Sequence, residues 1–292
     1  MSVTRSRAWI APWLFVSPGL VLLIVFSFVP IVTAVVLSFQ QVAVFGQGTW
    51  VGGGNYAQMV GDPLFWTSIG NTAVFTVGTV PTSMAIGLLL AVLLNRAMPG
   101  RPLIRALFFL PMVAAGVVVA VIMAWIFNGD YGVVDNLLAA LGLPRVPWLT
   151  SPDVAMLTFV LAVVWTRIGF CMVIYLGALQ AVPPELVEAM TVDGAGRWTR
   201  FRRLIWPLLR PTTFVLLVVN VVFSLQVFDI VYVLTGGGPG FATTVLIQYI
   251  FRTAFTNGEM GYASAIGVVF ALILLGFTAL QWRANRRAEE VA

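Results

Sequence analysis

Residues 183–211 read PPELVEAMTVDGAGRWTRFRRLIWPLLRP and lie between two long apolar runs. Pro183 and Pro184 suit a helix start, where proline's missing N–H would be unpaired in any case. They predict a short helix from Pro184 to about Val192, with Leu186, Ala189 and Met190 on one face at i, i+3 and i+4. Gly194 and Gly196 end that helix. Beyond them, Trp198, Phe201 and Ile205 oppose Arg197, Arg200 and Arg203, a pattern suited to lying along an anionic membrane surface. Two readings fit these residues: a small apolar knob offered to a partner's cleft, and an ordinary basic interfacial loop.

Working outward, the chain of 292 residues is 60% hydrophobic and 9% charged, too apolar for a soluble globular domain. Six stretches supply the roughly 20 apolar residues that cross about 30 Å of hydrocarbon: 13–39, 68–94, 103–127, 154–179, 212–234 and 263–282. The expected fold is an all-α membrane protein of six transmembrane helices. A single domain covers 1–292, with 183–211 as a loop within it.

Arginine supplies all sixteen basic residues, and their placement sets the orientation. With both termini in the cytoplasm, thirteen lie inside, among them Arg5, Arg96, Arg101, Arg105, the cluster from Arg197 to Arg210, and Arg283; only Arg145 and Arg252 lie outside. That is a strong positive-inside bias. The net charge of +5 therefore reports topology, and no nucleic-acid partner is expected. The apolar run after Arg5 and Arg7 continues past Pro18 and Pro30 to Phe39, longer than a secretory signal, so it is expected to stay as the first helix.

The chain has no His and one Cys, which excludes the usual zinc and haem sites, and Cys171 has no internal disulfide partner. No G-x-x-x-x-G-K-[ST] phosphate loop occurs. Seven of the eleven acidic residues (Asp62, Asp130, Asp135, Asp153, Glu259, Glu289 and Glu290) fall in loops or the tail, and none is expected at the membrane midplane. An ion-driven secondary transporter normally needs such a carboxylate or a broken helix, and a membrane enzyme would need a catalytic cluster. Neither is indicated.

In the loop, Glu188, Ala189, Asp193, Gly194, Ala195, Phe201 and Pro207 fall at the spacing of the EAA loop of ATP-binding-cassette importers. The whole chain resembles the carbohydrate-uptake permeases of the binding-protein-dependent, maltose and glycerol-phosphate type. Met190, Leu204 and Trp206 depart from the family's usual Ala, Ile and Leu but keep the apolar character. Further likeness lies in Gly54-Asn55-Tyr56, in Gly132, Asn136 and Gly142, in Trp165 and Gly169, and in the run FDIVYVLTGGGP from Phe228 to Pro239. Gly236 to Pro239 cannot continue a helix. An irregular outer loop dipping toward the membrane and a turn with an interfacial helix account for that run equally well.

The resemblance implies a type I importer permease fold in a prokaryotic cell membrane, with no catalytic or metal site in this chain. It assigns Glu188, Ala189, Met190, Asp193, Gly194, Ala195 and Gly196 to coupling with an ATPase. It also implies the partners: a second related permease, two cytoplasmic ATPase subunits carrying ATP and Mg, an extracytoplasmic substrate-binding protein, the bilayer and a carbohydrate. Glycerol phosphate is the alternative substrate.

Polar groups at depth are candidates for the path. At 1.5 Å per residue, Asn220 lies about 13 Å beyond Pro211, near the midplane, while Asp229 lies about 27 Å along, at the outer interface. Gln226 and Asp229, three apart, share a face there and could line an outer vestibule. Arg167 falls about 20 Å from the outer start of its span, where it must face protein or water. Trp125 and Tyr232 could stack on a sugar. Trp9, Trp13, Trp66, Trp148, Trp198 and Trp282 mark span ends as interface anchors. For Asn220 a hydrogen bond between helices is the competing role.

Overall fold

The computed structural model describes residues 4–43, 48–96 and 98–290, with the side chains of 4–11 (hence Trp9) and 284–290 outside that description. In chain order the helices begin with α1 (Thr4–Leu23), which runs through a π turn at Ile24–Phe28 into α2 (Val29–Leu37). A two-residue hairpin of β1 (Gln40–Gln41) and β2 (Thr49–Trp50) precedes α3 (Gly54–Val60) and α4 (Pro63–Leu94). Then come α5 (Arg101–Val113), α6 (Gly116–Ile126), α7 (Val133–Ala140), α8 (Pro152–Gln180) and α9 (Pro184–Val192). A continuous helix follows, made of α10 (Arg197–Arg200), a π turn at Phe201–Ile205 and α11 (Trp206–Leu225). The chain closes with α12 (Asp229–Leu234), α13 (Leu246–Phe251) and α14 (Met260–Glu290).

Among the described residues five helices are long and apolar enough to span a membrane: Pro12–Leu37, Pro63–Leu94, Pro152–Gln180, Arg197–Leu225 and Met260–Arg283. They match five of the six expected spans. The sixth, 103–127, is not straight. It is two helices, α5 and α6, bent by 104° where Ala114 and Ala115 adopt extended backbone after Pro111. The fifth span also ends earlier than its hydropathy suggests: the helix stops at Leu225, and Gln226 to Phe228 are non-helical before α12 begins. No glycine or proline marks that break. It is paid for by burial, because Val227, Ile230, Val231 and Leu234 pack with Val119, Ala120 and Met123 of α6 and Phe159 and Val163 of α8.

The residues pack as two compact units. In the first, residues up to Asp62 join Ile250–Ile273. Gln40 pairs with Trp50 and Gln41 with Thr49, and buried Asn55 donates from Nδ2 to the carbonyls of Ser38 and Gln40 at 2.8 and 2.9 Å. Tyr262 donates its hydroxyl to Asp62 at 2.6 Å. The window Pro12–Leu37 has no buried residue within this chain, as suits a helix facing lipid or another subunit.

The second unit comprises Pro63–Tyr249 and the residues from Leu274. At its centre α8 packs on α4, α5 and α11. Small residues allow the backbones to approach, as membrane helices require when apolar contact alone gives little advantage over lipid. Toward one end Phe75 of α4 stacks on Phe159 of α8 at 4.2 Å. Toward the other, Val80, Met84, Met172, Tyr175, Leu209 and Leu216 form a second buried cluster.

The outer segments are fixed by hydrogen bonds. Asp135, 1% exposed, accepts at Oδ1 from Trp148 Nε1 at 2.9 Å and from Val146 N–H at 3.2 Å. Asp135→Leu would strand both donors, so it is expected to cost about 1–3 kcal/mol, read as a lowered melting temperature in detergent. An unchanged melting temperature would show the pair to be dispensable. The Gly236–Gly240 loop is a closed turn in which Thr243 Oγ1 donates to Gly238 O and Thr244 Oγ1 to Gly237 O. Asn71 of α4 holds it by donating to the carbonyls of Phe241 and Thr244, and Thr72 Oγ1 accepts from Leu246 N–H.

Candidate functional site

Two regions bring together the residues singled out by sequence. The first is α9, whose limits, Pro184–Val192, are those the prolines and glycines dictate. Pro184 occupies the first turn, where its missing N–H costs nothing. At the other end Gly194 N–H donates to Thr191 O at 3.1 Å and Ala195 N–H to Met190 O at 2.9 Å, the paired bonds of a Schellman cap. Gly194 has φ of +75°, a left-handed conformation that favours glycine.

Leu186 and Ala189 are exposed and Met190 is half-buried, so the apolar face stands largely uncovered within this chain. Glu188, Asp193 and Gly196 are exposed beside it, with Ala195 half-buried. Glu188 also borders a cleft of about 470 Å³ with Asn95, Gln180 and Ile205.

The links around α9 are short. Arg200 Nη1 donates to Thr191 Oγ1, tying the helix to α10 across the Gly194–Gly196 turn. With its amide oxygen facing the guanidiniums, Gln180 at the end of α8 accepts from Arg101 Nη2 at 2.7 Å and Arg105 Nη2 at 3.1 Å. The segment entering α9 is therefore fastened to the start of α5.

The second region lies where the two broken spans meet. A cavity of about 270 Å³ is lined by Gly116, Thr166, Arg167, Phe223, Gln226, Phe228 and Asp229, among others. An adjoining space of about 180 Å³ extends past Arg167 and Phe223 to Pro111 and Met112. The Arg167 guanidinium carbon sits 4.6 Å from the centroid of the Phe223 ring, a cation–π contact. Its Nη1 is buried without a hydrogen-bond partner among the described residues. Asp229 packs over Gly116 so closely that a β-carbon there would lie 3.0 Å from its Oδ2. Gly116 is the first residue of α6, whose positive end favours a carboxylate. One cation, one anion, an amide and aromatic faces thus share a single cavity.

Three path candidates, Arg167, Gln226 and Asp229, come together here, although Gln226 and Asp229 do so across a helix break and not on one helical face. The depth calculated for Asp229 from an unbroken helix does not apply. Tyr232 stands behind the cavity, stacked on Phe228 at 5.2 Å. Trp125 is exposed and does not line it. Asn220 is buried elsewhere, donating to Leu216 O at 2.8 Å and to Cys171 Sγ at 3.5 Å, which places it in the packing of α11 against α8.

Gly116, Thr166 and Phe223 were not indicated by sequence, and Phe228 only as the start of the FDIVYVLTGGGP run. The run Pro111-Met-Val-Ala-Ala-Gly116 carried a signal for the break in a proline followed by small residues. Nothing in the sequence placed Phe223 against Arg167.

The family model for the binding-protein-dependent transport system inner membrane component matches residues 83–290. The sulfoquinovosyl glycerol transport system permease protein SmoG of Agrobacterium fabrum is 34% identical, over 94% of this chain and 89% of its own length. The sn-glycerol-3-phosphate transport system permease protein UgpA of the same organism is also 34% identical, over 94% of each chain. In structure, the chain is similar to one from a bacterial alginate ABC transporter crystallised with an alginate pentasaccharide-bound periplasmic protein. That match has a TM-score of 0.86 and 25% identity, covering 97% of this chain and 96% of the other.

Proposed function

Since this chain belongs to the family of binding-protein-dependent transport system inner membrane components, and is thus a multi-pass membrane permease subunit of an ABC importer, we propose that its cargo is a neutral carbohydrate. The cavity carries this reading. Arg167 and Asp229 bring one charge of each sign to its wall, Gln226 offers both a donor and an acceptor, and Phe223 and Phe228 offer ring faces. A neutral polyol needs such hydrogen bonds and stacking surfaces, whereas a permanent anion needs an excess of cations.

Coupling runs through α9. Its exposed Leu186 and Ala189, with half-buried Met190, enter a groove of a cytoplasmic ATPase subunit, one of two, which holds ATP and Mg and performs the hydrolysis. A second, related permease completes the path, and an extracytoplasmic binding protein delivers the cargo. When the ATPases close, α9 moves with them. The Gln180 link to Arg101 and Arg105 carries that motion into α5, whose far end borders the cavity at the α5–α6 bend.

Glycerol phosphate is the second reading, favoured by the likeness to UgpA and by the buried Nη1 of Arg167. Uptake of labelled substrates by cells lacking the chain separates the two. Loss of a neutral mono- or oligosaccharide with retained glycerol-phosphate uptake is expected, and the reverse pattern would reassign the cargo. In the same assay Arg167→Leu is expected to lower uptake roughly 10- to 100-fold, the value of a hydrogen bond from a charged group. Assembly and basal ATP hydrolysis should persist. Collapse of assembly would instead make Arg167 a packing residue.

A further inference from the structure

At the arginine-rich end of the second unit, an apolar groove of about 540 Å³ opens between α4 and the stretch that follows α9. Leu88, Leu89 and Val92 form one wall. Trp198 and Phe201 form the other, their rings stacked at 5.8 Å and 22°, with Arg197 also lining it. Trp198 is 72% exposed and Leu89 59%. The coupling role proposed for α9 uses neither wall.

We propose that this groove binds one anionic phospholipid of the cytoplasmic leaflet, with an acyl chain between the walls and the phosphate on Arg197. Depth, shape and charge all favour that occupant. The lining reaches back to Ala85, nine residues before the end of α4 at Leu94, or about 14 Å along the helix axis. Since the 32 residues of α4 are about 48 Å long against about 30 Å of hydrocarbon, with the excess shared between its ends Ala85 lies about 5 Å inside the hydrocarbon edge, which a water-soluble ATPase subunit does not cross. A helix of another permease would seek a run of small residues that let backbones approach, yet beyond Ala85 this wall presents Leu88, Leu89 and Val92 facing Trp198 and Phe201. It would also close over a guanidinium with no carboxylate on the groove. A phospholipid fills the apolar length and meets the cation with its own anion, and indole rings settle at this boundary.

The test uses the full importer complex in nanodiscs, with brominated phosphatidylglycerol or brominated phosphatidylcholine as quencher. Emission from Trp198 is isolated by subtracting that of Trp198→Phe. Phosphatidylglycerol is expected to quench this component at about fivefold lower mole fraction, the effect of one arginine near an anionic headgroup. Arg197→Gln should bring the two curves together, and Leu89→Phe should weaken quenching by both lipids by narrowing the groove. Equal quenching by the two lipids in the unaltered complex would reduce the groove to ordinary lipid contact and overturn the proposal. Absence of quenching by either would mean that a protein subunit covers it, with the same result. A preference that survives Arg197→Gln would remove the phosphate contact assigned to Arg197.

Discussion

Gly194→Trp is expected to abolish the stimulation of ATP hydrolysis by loaded binding protein in the reconstituted complex, while the chain still inserts and assembles. Glu188→Arg is expected to do the same by placing a cation on the exposed face of α9. The argument for Gly194 has two parts that can be separated. Its φ of +75° costs any other residue roughly 1–2 kcal/mol, a local strain at the helix end. The larger effect is bulk: no atom lies within 4 Å of a β-carbon built there and the residue is exposed, so the side chain starts into open space where a docked partner would collide with it.

A matched control is built into the fold. Gly142 closes α7 with the same pair of bonds, Gly142 N–H to Ala139 O and Leu143 N–H to Leu138 O, and it has φ of +73° and open space. Gly142→Trp therefore imposes the same strain at another helix and should leave stimulation intact. Gly194→Ala, with strain but little bulk, should retain most of it. If stimulation is unchanged in both Gly194→Trp and Glu188→Arg, α9 is not the coupling element. If Gly194→Ala fails as completely as Gly194→Trp, strain in the helix and not docking is responsible.

The contrast between α9 and the cavity shows what was legible in the sequence. The limits of α9 are set by neighbours in the chain, a proline at its first turn and a glycine after its last, so local chemistry determines them. Four of the spans, and the existence of the others, are equally local, since apolar length alone decides membrane crossing. The breaks are not. Residues 221–234 contain neither glycine nor proline, and hydropathy passes through Gln226 without interruption. The helix stops because α12 buries a better face against α6 than it could as a continuation of α11, a comparison that needs the position of α6. The same holds for the site. Arg167 was identified as a costly charge at depth, but its partners, Phe223 on α11 and the cavity wall at Gly116 and Asp229, belong to segments brought together only by the two breaks. Asn220, the other polar residue at depth, was equally visible, but its amide nitrogen donates to Cys171 Sγ and Leu216 O away from this cavity.

Gly169→Val is expected to prevent the second unit from forming. A β-carbon at Gly169 would stand 2.0 Å from the carbonyl oxygen of Phe108, with the Phe109 backbone at 2.8 Å, so α5 and α8 touch main chain to main chain. A flexible side chain could swing aside, but a helix backbone cannot. Overpacking that side chains can absorb costs about 1–3 kcal/mol, and here the cost should exceed that range. Helix propensity does not account for the loss, since valine is at least as good a helix former as glycine. Separating α5 from α8 would also pull Arg101 and Arg105 from Gln180 and open the bend beside the cavity, so folding and function should fail together. Gly177, on the same helix with nothing within 4 Å of its added β-carbon, supplies the comparison. Gly177→Val should yield monodisperse protein in detergent with a near-normal melting temperature, whereas Gly169→Val should yield aggregate or degraded chain. Recovery of monodisperse Gly169→Val with an unchanged melting temperature would mean that α5 does not lie on α8 at this distance, and the linkage from α9 to the cavity would fall with it.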